Sequence, residues 1–474
     1  MASPAKEPDW YTEGGKAVPA SKDTRVSVPE PAHYHPEQAG EVIVSVPGSQ
    51  KQQTKGESKI KSSGWSKVRF HAKSLIANPP IDMVIYFQDK TGLHLTVEDG
   101  QHMEAGDIFE MVMEEMKFPA ASRDVFSLWL VSDLLELQLK PNHVPFKLAC
   151  YWEELLEKYT TTEEDDRERD EPILLFQRNV FYPRSKEVDI SDLDVLKLLY
   201  HEAKEMVIDG RYPLKQNDYD YLAGLQALIR TGNYSQDEHS PDYYRSRLHE
   251  FYPEHMAKPK KSFGRRSKDS AEFRLARKHQ ETYQSFGRIT EMKQVIGCLQ
   301  TYLEFCRKLP YYGGAFFRGQ VEHPSRKSKL LSNNDDPVWI VVNTEGLYII
   351  DMDDVVFLIG LPFEELSWEY AEPKEKNQDC MPCIFIQFKS KENPRETKML
   401  QVFTKEAALI DAIIEAGISL KKKSASKGGG DSTDGARVTF GTEEDWQNFN
   451  RLCLTTFNER GEMLNSSIRS SKKS

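Results

Sequence analysis

The 474-residue chain has no run of the roughly 18 apolar residues that would read as a membrane-spanning helix, and its first 75 residues hold no apolar core of a signal peptide. A cytosolic chain is therefore expected. Cysteine is scarce: Cys150, Cys298, Cys306, Cys380, Cys383 and Cys453 lie scattered, which suits reduced thiols rather than a disulfide framework. Catalytic signatures are missing as well. No GxxxxGK-S/T, HExxH, GxSxG or HRD run occurs, and no cysteine is followed six positions on by the arginine that a tyrosine phosphatase loop requires. Cys380-Met-Pro-Cys383 supplies two of the four ligands that zinc wants and leads straight into a strand, while His33 and His35 sit in a polar tail. No enzyme, metal or cofactor is expected. Positive charge is in deficit, 63 Lys and Arg against 74 Asp and Glu, and the net charge of -11 argues against nucleic-acid binding.

What is present divides the chain into blocks. Residues 1–79 are rich in Pro, Ser, Lys, Glu and Gly and too poor in aliphatics to offset the entropy of ordering, so a disordered tail is expected. Within it Lys51, Lys55, Lys59, Lys61, Lys67, Arg69 and Lys73 face one acid, Glu57. A solvated arm and an arm for anionic lipid or an acidic partner are both open readings.

From Ile81 the texture changes. IDMVIYFQD, a turn at Lys90-Thr91-Gly92 and LHLTVED predict a hairpin; Asp107 is expected to cap a helix with Ile108, Val112 and Met116 on one stripe; further strands follow at DVFSLWLVS, LELQLKP and EPILLFQRNVFYP. Strand, strand, helix, strands is the order of a ubiquitin-like fold over residues 80–183. The acidic run at 161–171 reads as an exposed loop.

Residues 184–309 switch to the helical period. Val195, Leu198, Leu199, Ala203 and Met206 share one face, Leu222, Leu225 and Ile229 another, and a third helix from about Thr290 to Leu309 buries Met292, Val295, Leu299, Tyr302, Leu303 and Cys306. Between them residues 258–278 form a basic stretch, read as an exposed loop whose Lys260, Lys261, Arg265 and Arg266 are candidates for acidic lipid headgroups or an acidic partner.

Residues 310–421 return to short strands, AFFRGQVEH, VWIVVN, GLYIIDM, VVFLIGL, ELSWEY, PCIFIQF and KMLQVF, followed by a helix from Thr404 to Leu420. That is the order of a pleckstrin-homology or phosphotyrosine-binding sandwich. Its first residues, LPYYGGAFFRGQ, explain the change of texture: Pro310 ends the long helix, Gly313 and Gly314 permit the reversal, and Tyr311, Tyr312, Phe316 and Phe317 are expected to pack between the helical block and the sandwich. Residues 422–474 read as mostly disordered, with one short amphipathic helix in TEEDWQNFNRLCLTTFNERGEML.

Three blocks in this order, with LPYYGGAFF opening the third and LLYHEAKEMVIDGRY before YLAGLQALIRTGNYSQDEH in the second, resemble the FERM domain of band 4.1 and ezrin relatives over about residues 81–420. The resemblance implies an α+β, three-lobed clover: a ubiquitin-like β-grasp, an acyl-CoA-binding-protein-like bundle and the sandwich. DVFSLWLVSDLLELQLKPNHVPFKL, DEPILLFQRNVFYPRSKE and FEELSWEY narrow it to a group of cytoplasmic adaptors. For that group it implies a non-catalytic protein, peripheral at the inner face of the plasma membrane, that binds the cytoplasmic tails of iRhom pseudoproteases, stabilising the sheddase complex, and an LRP co-receptor, dampening Wnt signalling. A monomer is expected. The long charged helix and actin-binding terminus of ezrin-type proteins have no counterpart.

In sandwiches of this type the fifth strand is an exposed edge beside the carboxy-terminal helix, where an extended peptide can add a strand. By order that strand is Leu366 to Tyr370. Alternation puts Leu366, Trp368 and Tyr370 on one face and Ser367 and Glu369 on the other, so either Trp368 plugs the sandwich and the other pair lines the rim, or Trp368 itself meets the peptide. The helix wall is expected at Ala408, Asp411, Ala412 and Glu415, away from Leu409, Ile413 and Ala416. The cleft between helical block and sandwich is a second candidate surface. Rival functions are a phosphoinositide-directed membrane-cytoskeleton linker acting through the basic patches and a small-GTPase effector.

Overall fold

The computed structural model describes residues 25–27, 80–258, 270–289, 292–322, 335–373, 381–426 and 451–465. The rest of the amino-terminal tail, Lys260, Lys261, Arg265, Arg266, Cys380, and residues 427–450 and 466–474 lie outside the described residues. The chain divides into two compact units, one holding 25–182 with Ile190–Glu202, the other Pro183–Asp189 with the chain from Ala203 on.

In the first unit β1 (Arg25–Ser27), β2 (Ile81–Phe87), β3 (Thr91–Val97), α1 (Ala105–Glu115), β4 (Phe126–Val131) and β5 (Glu136–Gln138) are followed by α2 (Pro145–Cys150), α3 (Trp152–Tyr159), the single turn α4 (Glu164–Arg167) and β6 (Ile173–Arg178). They form a sheet in the order β1-β3-β2-β6-β4-β5. Among the described residues the β2–β6 pair alone is parallel in this sheet, with Ile85 opposite Leu174 and Phe87 opposite Phe176, the arrangement of a β-grasp. β2 alternates because one face meets water, whereas central β6 is buried at all six positions. Phe176 anchors the core, with Phe87, Phe109, Phe118 and Phe126 within 6 Å of its ring centre. α4 occupies part of the acidic run expected as a loop, and Asp170 beyond it accepts a 2.8 Å hydrogen bond from the Trp152 indole.

α5 (Leu193–Ile208) gives its first part to this unit and its remainder to the second. There α6 (Gln216–Thr231), the short α7 (Pro241–Arg245) and α8 (Glu254–Ala257), α9 (Ala271–Phe286) and α10 (Met292–Arg307) follow. α6 and α9 touch closely because position 224 is glycine: a Cβ there would stand 2.8 Å from the Thr282 hydroxyl and 2.9 Å from the Lys278 carbonyl oxygen. Buried Asp220 accepts from Arg274 at 3.0 Å and from the Tyr252 hydroxyl at 2.8 Å. The basic stretch expected as a loop is therefore corrected in its second half. Residues 271–278 open α9 because Ala271, Leu275 and His279 recur at helical spacing, and Arg274 is a buried ion-pair partner rather than a surface cation.

Arg184, in the linker Pro183–Asp189, donates to the Arg307 and Leu309 carbonyls at the end of α10 and pairs with Glu345. These bonds satisfy carbonyls that a helix end leaves open. The sandwich follows: β7 (Ala315–Val321), β8 (Asp336–Val342), β9 (Gly346–Asp351), β10 (Val356–Pro362), β11 (Leu366–Ala371), β12 (Cys383–Lys389), β13 (Thr397–Phe403), then α11 (Ala407–Ser426). The strand order is β10-β9-β8-β7-β13-β12-β11, all antiparallel neighbours. α11 is tied to β7 by Glu406, which accepts from the Arg318 backbone N–H at 2.8 Å, and by the Thr404 hydroxyl, which donates to the Arg318 carbonyl at 2.6 Å.

Of the segment expected to hold a short helix, residues 442–450 lie outside the described residues, and the part that is described forms a hairpin, β14 (Leu454–Phe457) and β15 (Met463–Asn465). β14 pairs with residues 397–400 of β13, whose partner β7 reaches only Val402 and Phe403. Leu452, Cys453 and Thr455 are buried by this addition, and Arg451 reaches both Asp351 and Asp354 at 2.7 and 2.6 Å.

Candidate functional site

β11 ends the strand order: it pairs with β12 on one side, and among the described residues no strand pairs with its other side. Backbone groups on that side are a template for an added strand. Along β11 Leu366 is buried, Trp368 half-buried, and Ser367, Glu369 and Tyr370 exposed. The alternation is real, and Trp368 neither plugs the core nor stands free. Its indole N–H donates to the Asp411 carboxylate of α11 at 2.8 Å, bridging strand and helix at the floor of the groove.

On α11 the buried stripe is Ala407, Ile410, Ile414 and Gly417, which corrects the expected core at Leu409, Ile413 and Ala416; those three are half-buried. The four wall residues stand as follows: Ala408 and Asp411 are half-buried, Ala412 and Glu415 exposed. Positions 408 and 412, like 411 and 415, are one turn apart, so small residues and acids form two adjacent rows. At the far end Lys421 pairs with Glu364 at 3.0 Å over the Phe363 ring. Burial alone would raise the Glu364 carboxyl, but the hydrogen bond and charge of Lys421 outweigh it and hold the group below its usual range. Sequence reasoning missed this pair, since it joins residues 57 positions apart and nothing in either segment marks the other.

The aromatic residues after α10 divide between two faces. The Tyr311 hydroxyl donates to the Pro213 carbonyl, the Tyr312 hydroxyl to the fully buried Glu187 carboxylate at 2.8 Å, and the Gly313 N–H to the Tyr212 hydroxyl at 3.0 Å. Tyr212 lies with Tyr311, Tyr312 and Phe316 within about 6 Å between ring centres. Phe317 is buried on the opposite face of β7 from Phe316, as strand alternation requires. Tyr212 and Glu187 escaped the sequence reading. The motif VIDGRYP held a signal for Tyr212: Gly210, at φ +72°, turns the chain sharply after α5.

For chemistry the described residues offer little. No group of three or more His, Cys, Asp or Glu side chains comes together as a metal site among them, and Cys383 is a buried strand residue whose thiol burial pushes up. No helix of the described residues is long and apolar enough to cross a membrane.

Two family models match the chain: the FERM central domain over residues 185–317, and the KRIT1/FRMD8, FERM domain C-lobe over residues 336–413. Curated relatives narrow this. FERM domain-containing protein 8 of Homo sapiens is 34% identical over 363 residues, covering 75% of this chain and 77% of that protein. The Mus musculus and Xenopus tropicalis proteins of the same name are 35% and 33% identical over 349 and 374 residues, covering 72% and 77% of this chain and 74% and 81% of theirs. The chain belongs to the FERM domain-containing protein 8 family.

Proposed function

We propose that this protein is a non-catalytic FERM adaptor that captures an extended segment of a membrane protein's cytoplasmic tail as an added strand on β11, against α11. The partners implied by the family resemblance are the tails of iRhom pseudoproteases and of an LRP co-receptor, which puts the adaptor at the inner face of the plasma membrane. The lobes are taken as 80–183, 184–309 and 310–421. One observation supports the reading: β11, at the end of the strand order, has no partner strand among the described residues on its outer side, beside a helix whose exposed Ala412 and Glu415 line the wall. An added backbone would satisfy its hydrogen bonds on β11, and small Ala408 and Ala412 leave room for its side chains.

Pull-down of each tail with the full chain tests this. Ala412→Trp fills the groove from an exposed position, so it is expected to weaken retention at least about tenfold while leaving the fold intact. Neutralising Lys260, Lys261, Arg265 and Arg266 is expected to spare it. Retention indifferent to Ala412→Trp, or lost with the four cations, would overturn the groove reading, the latter in favour of a lipid-directed linker.

A further inference from the structure

Carboxylates stand on both faces of β11, and neither face has a cation of its own. The Trp368 indole meets Asp411, so Leu366, Trp368 and Tyr370 share the face toward α11, and Ser367 and Glu369 take the opposite face. α11 runs against the direction of β11: Asp411 meets Trp368, a Cβ at Gly417 would stand 3.4 Å from the Phe363 ring, and Lys421 pairs with Glu364. Glu415, between those contacts, therefore stands level with Leu366. Glu369 and Glu415 are both exposed, and neither has an ion pair or hydrogen bond among the described residues. Residues 366–371 of β11 and 407–420 of α11 hold no lysine or arginine. The surface between the two acids is apolar: exposed Ala412, half-buried Ala408 and Trp368, and the 39% exposed ring of Tyr370.

We propose that the groove selects a tail segment with two cations three positions apart, aimed at opposite faces of the added strand, and rejects acidic or phosphorylated segments. This partner chemistry rests on the strand-addition reading of the same groove. In an added strand, directly opposed residues share a face and neighbours along the chain alternate. A cation opposite Glu369 meets that carboxylate on the face away from α11. The next residue, opposite Trp368, turns to α11 and covers Ala412, which calls for a small or aliphatic side chain. The one after, opposite Ser367, turns away again and is unconstrained. The third, opposite Leu366, faces α11 and brings its cation to Glu415. An odd spacing is what two acids on opposite faces require. On the other side of the first cation, an apolar residue opposite Tyr370 covers the exposed ring. A phosphate or carboxylate at either cation position would meet an acid with no counter-charge from β11 or from residues 407–420 of α11.

A phage-displayed library of random peptides, selected on the immobilised full chain, tests this with four proteins: wild type, Ala412→Trp, Glu369→Lys and Glu415→Lys. Among binders that Ala412→Trp loses, basic residues are expected to outnumber acidic ones at least about fivefold at each of two positions three apart. Glu415→Lys should reverse the preference at one of these positions and Glu369→Lys at the other. Both residues are exposed, so each reversal should leave the melting temperature in place. The strongest binder, resynthesised with phosphoserine at either cation position, should bind at least about tenfold more weakly. Groove-dependent binders without the basic pair, a preference that neither reversal moves, or binding undiminished by phosphoserine would overturn the charge rule while leaving strand addition intact. A selection that yields no binder sensitive to Ala412→Trp would overturn both.

Discussion

The Tyr312 hydroxyl donates to a carboxylate with no exposure at all, so its removal leaves Glu187 short of a donor in a dry site. Tyr312→Phe is expected to cost about 1–3 kcal/mol in urea unfolding. His279 makes a second residue-level prediction. Buried and hydrogen-bonded to the Gly232 carbonyl and the Tyr244 hydroxyl at 2.8 and 2.7 Å, its ring is held neutral, and burial pushes its pKa down to about 4. The unfolded chain takes up a proton near pH 6.5 that the folded chain refuses, so this contribution is complete above that pH and lost progressively as pH falls toward 4. Melting temperatures measured across that window should fall in the wild type and fall less in His279→Gln. The groove shows how far residues could be read in advance. Strand alternation separates Ser367 and Glu369 from Trp368, but the Trp368–Asp411 bond joins residues 43 positions apart and has no local signature. The α11 stripe was ambiguous for a physical reason: apolar residues at 407–410, 412–414, 416 and 418 surround the helix, and more than one face could serve as the core.

At the scale of elements, Gly224 sets how closely α6 and α9 pack. Gly224→Ala is expected to destabilise the fold by about 1–3 kcal/mol, since the clash is partly with backbone and cannot be relieved by a rotamer change. The carboxy-terminal hairpin is an integral part of the sandwich. A chain ending at residue 426 should show faster amide exchange at residues 397–400 and a lower melting temperature, whereas unchanged exchange there would mean that β14 adds nothing to β13. Its signal lay in the sequence: Leu-Thr-Thr-Phe is rich in strand formers, and the Asn458 side chain accepts from the Arg460 and Glu462 N–H groups in a turn that Gly461 completes at φ +75°. The strands of the sandwich were legible because turns with Gly, Asp or Pro separate them. The start of α9 was hidden by its basic composition, which masks an apolar stripe only three residues wide.

For the whole molecule, the FERM assignment was carried by the block order and by the proline-aromatic-glycine segment after α10, both of which are local. The Arg184 clasp on the end of α10 and the strand addition by residues 454–457 depend on contacts across more than fifty residues, and sequence periodicity carries no trace of them. The central claim is that a partner tail becomes a strand on β11. Hydrogen exchange of the full chain with and without a saturating iRhom tail tests it most directly. The account predicts new protection of backbone amides within residues 366–371 together with residues of α11 around 408–415; protection confined to other surfaces, with 366–371 exchanging as before, would contradict it.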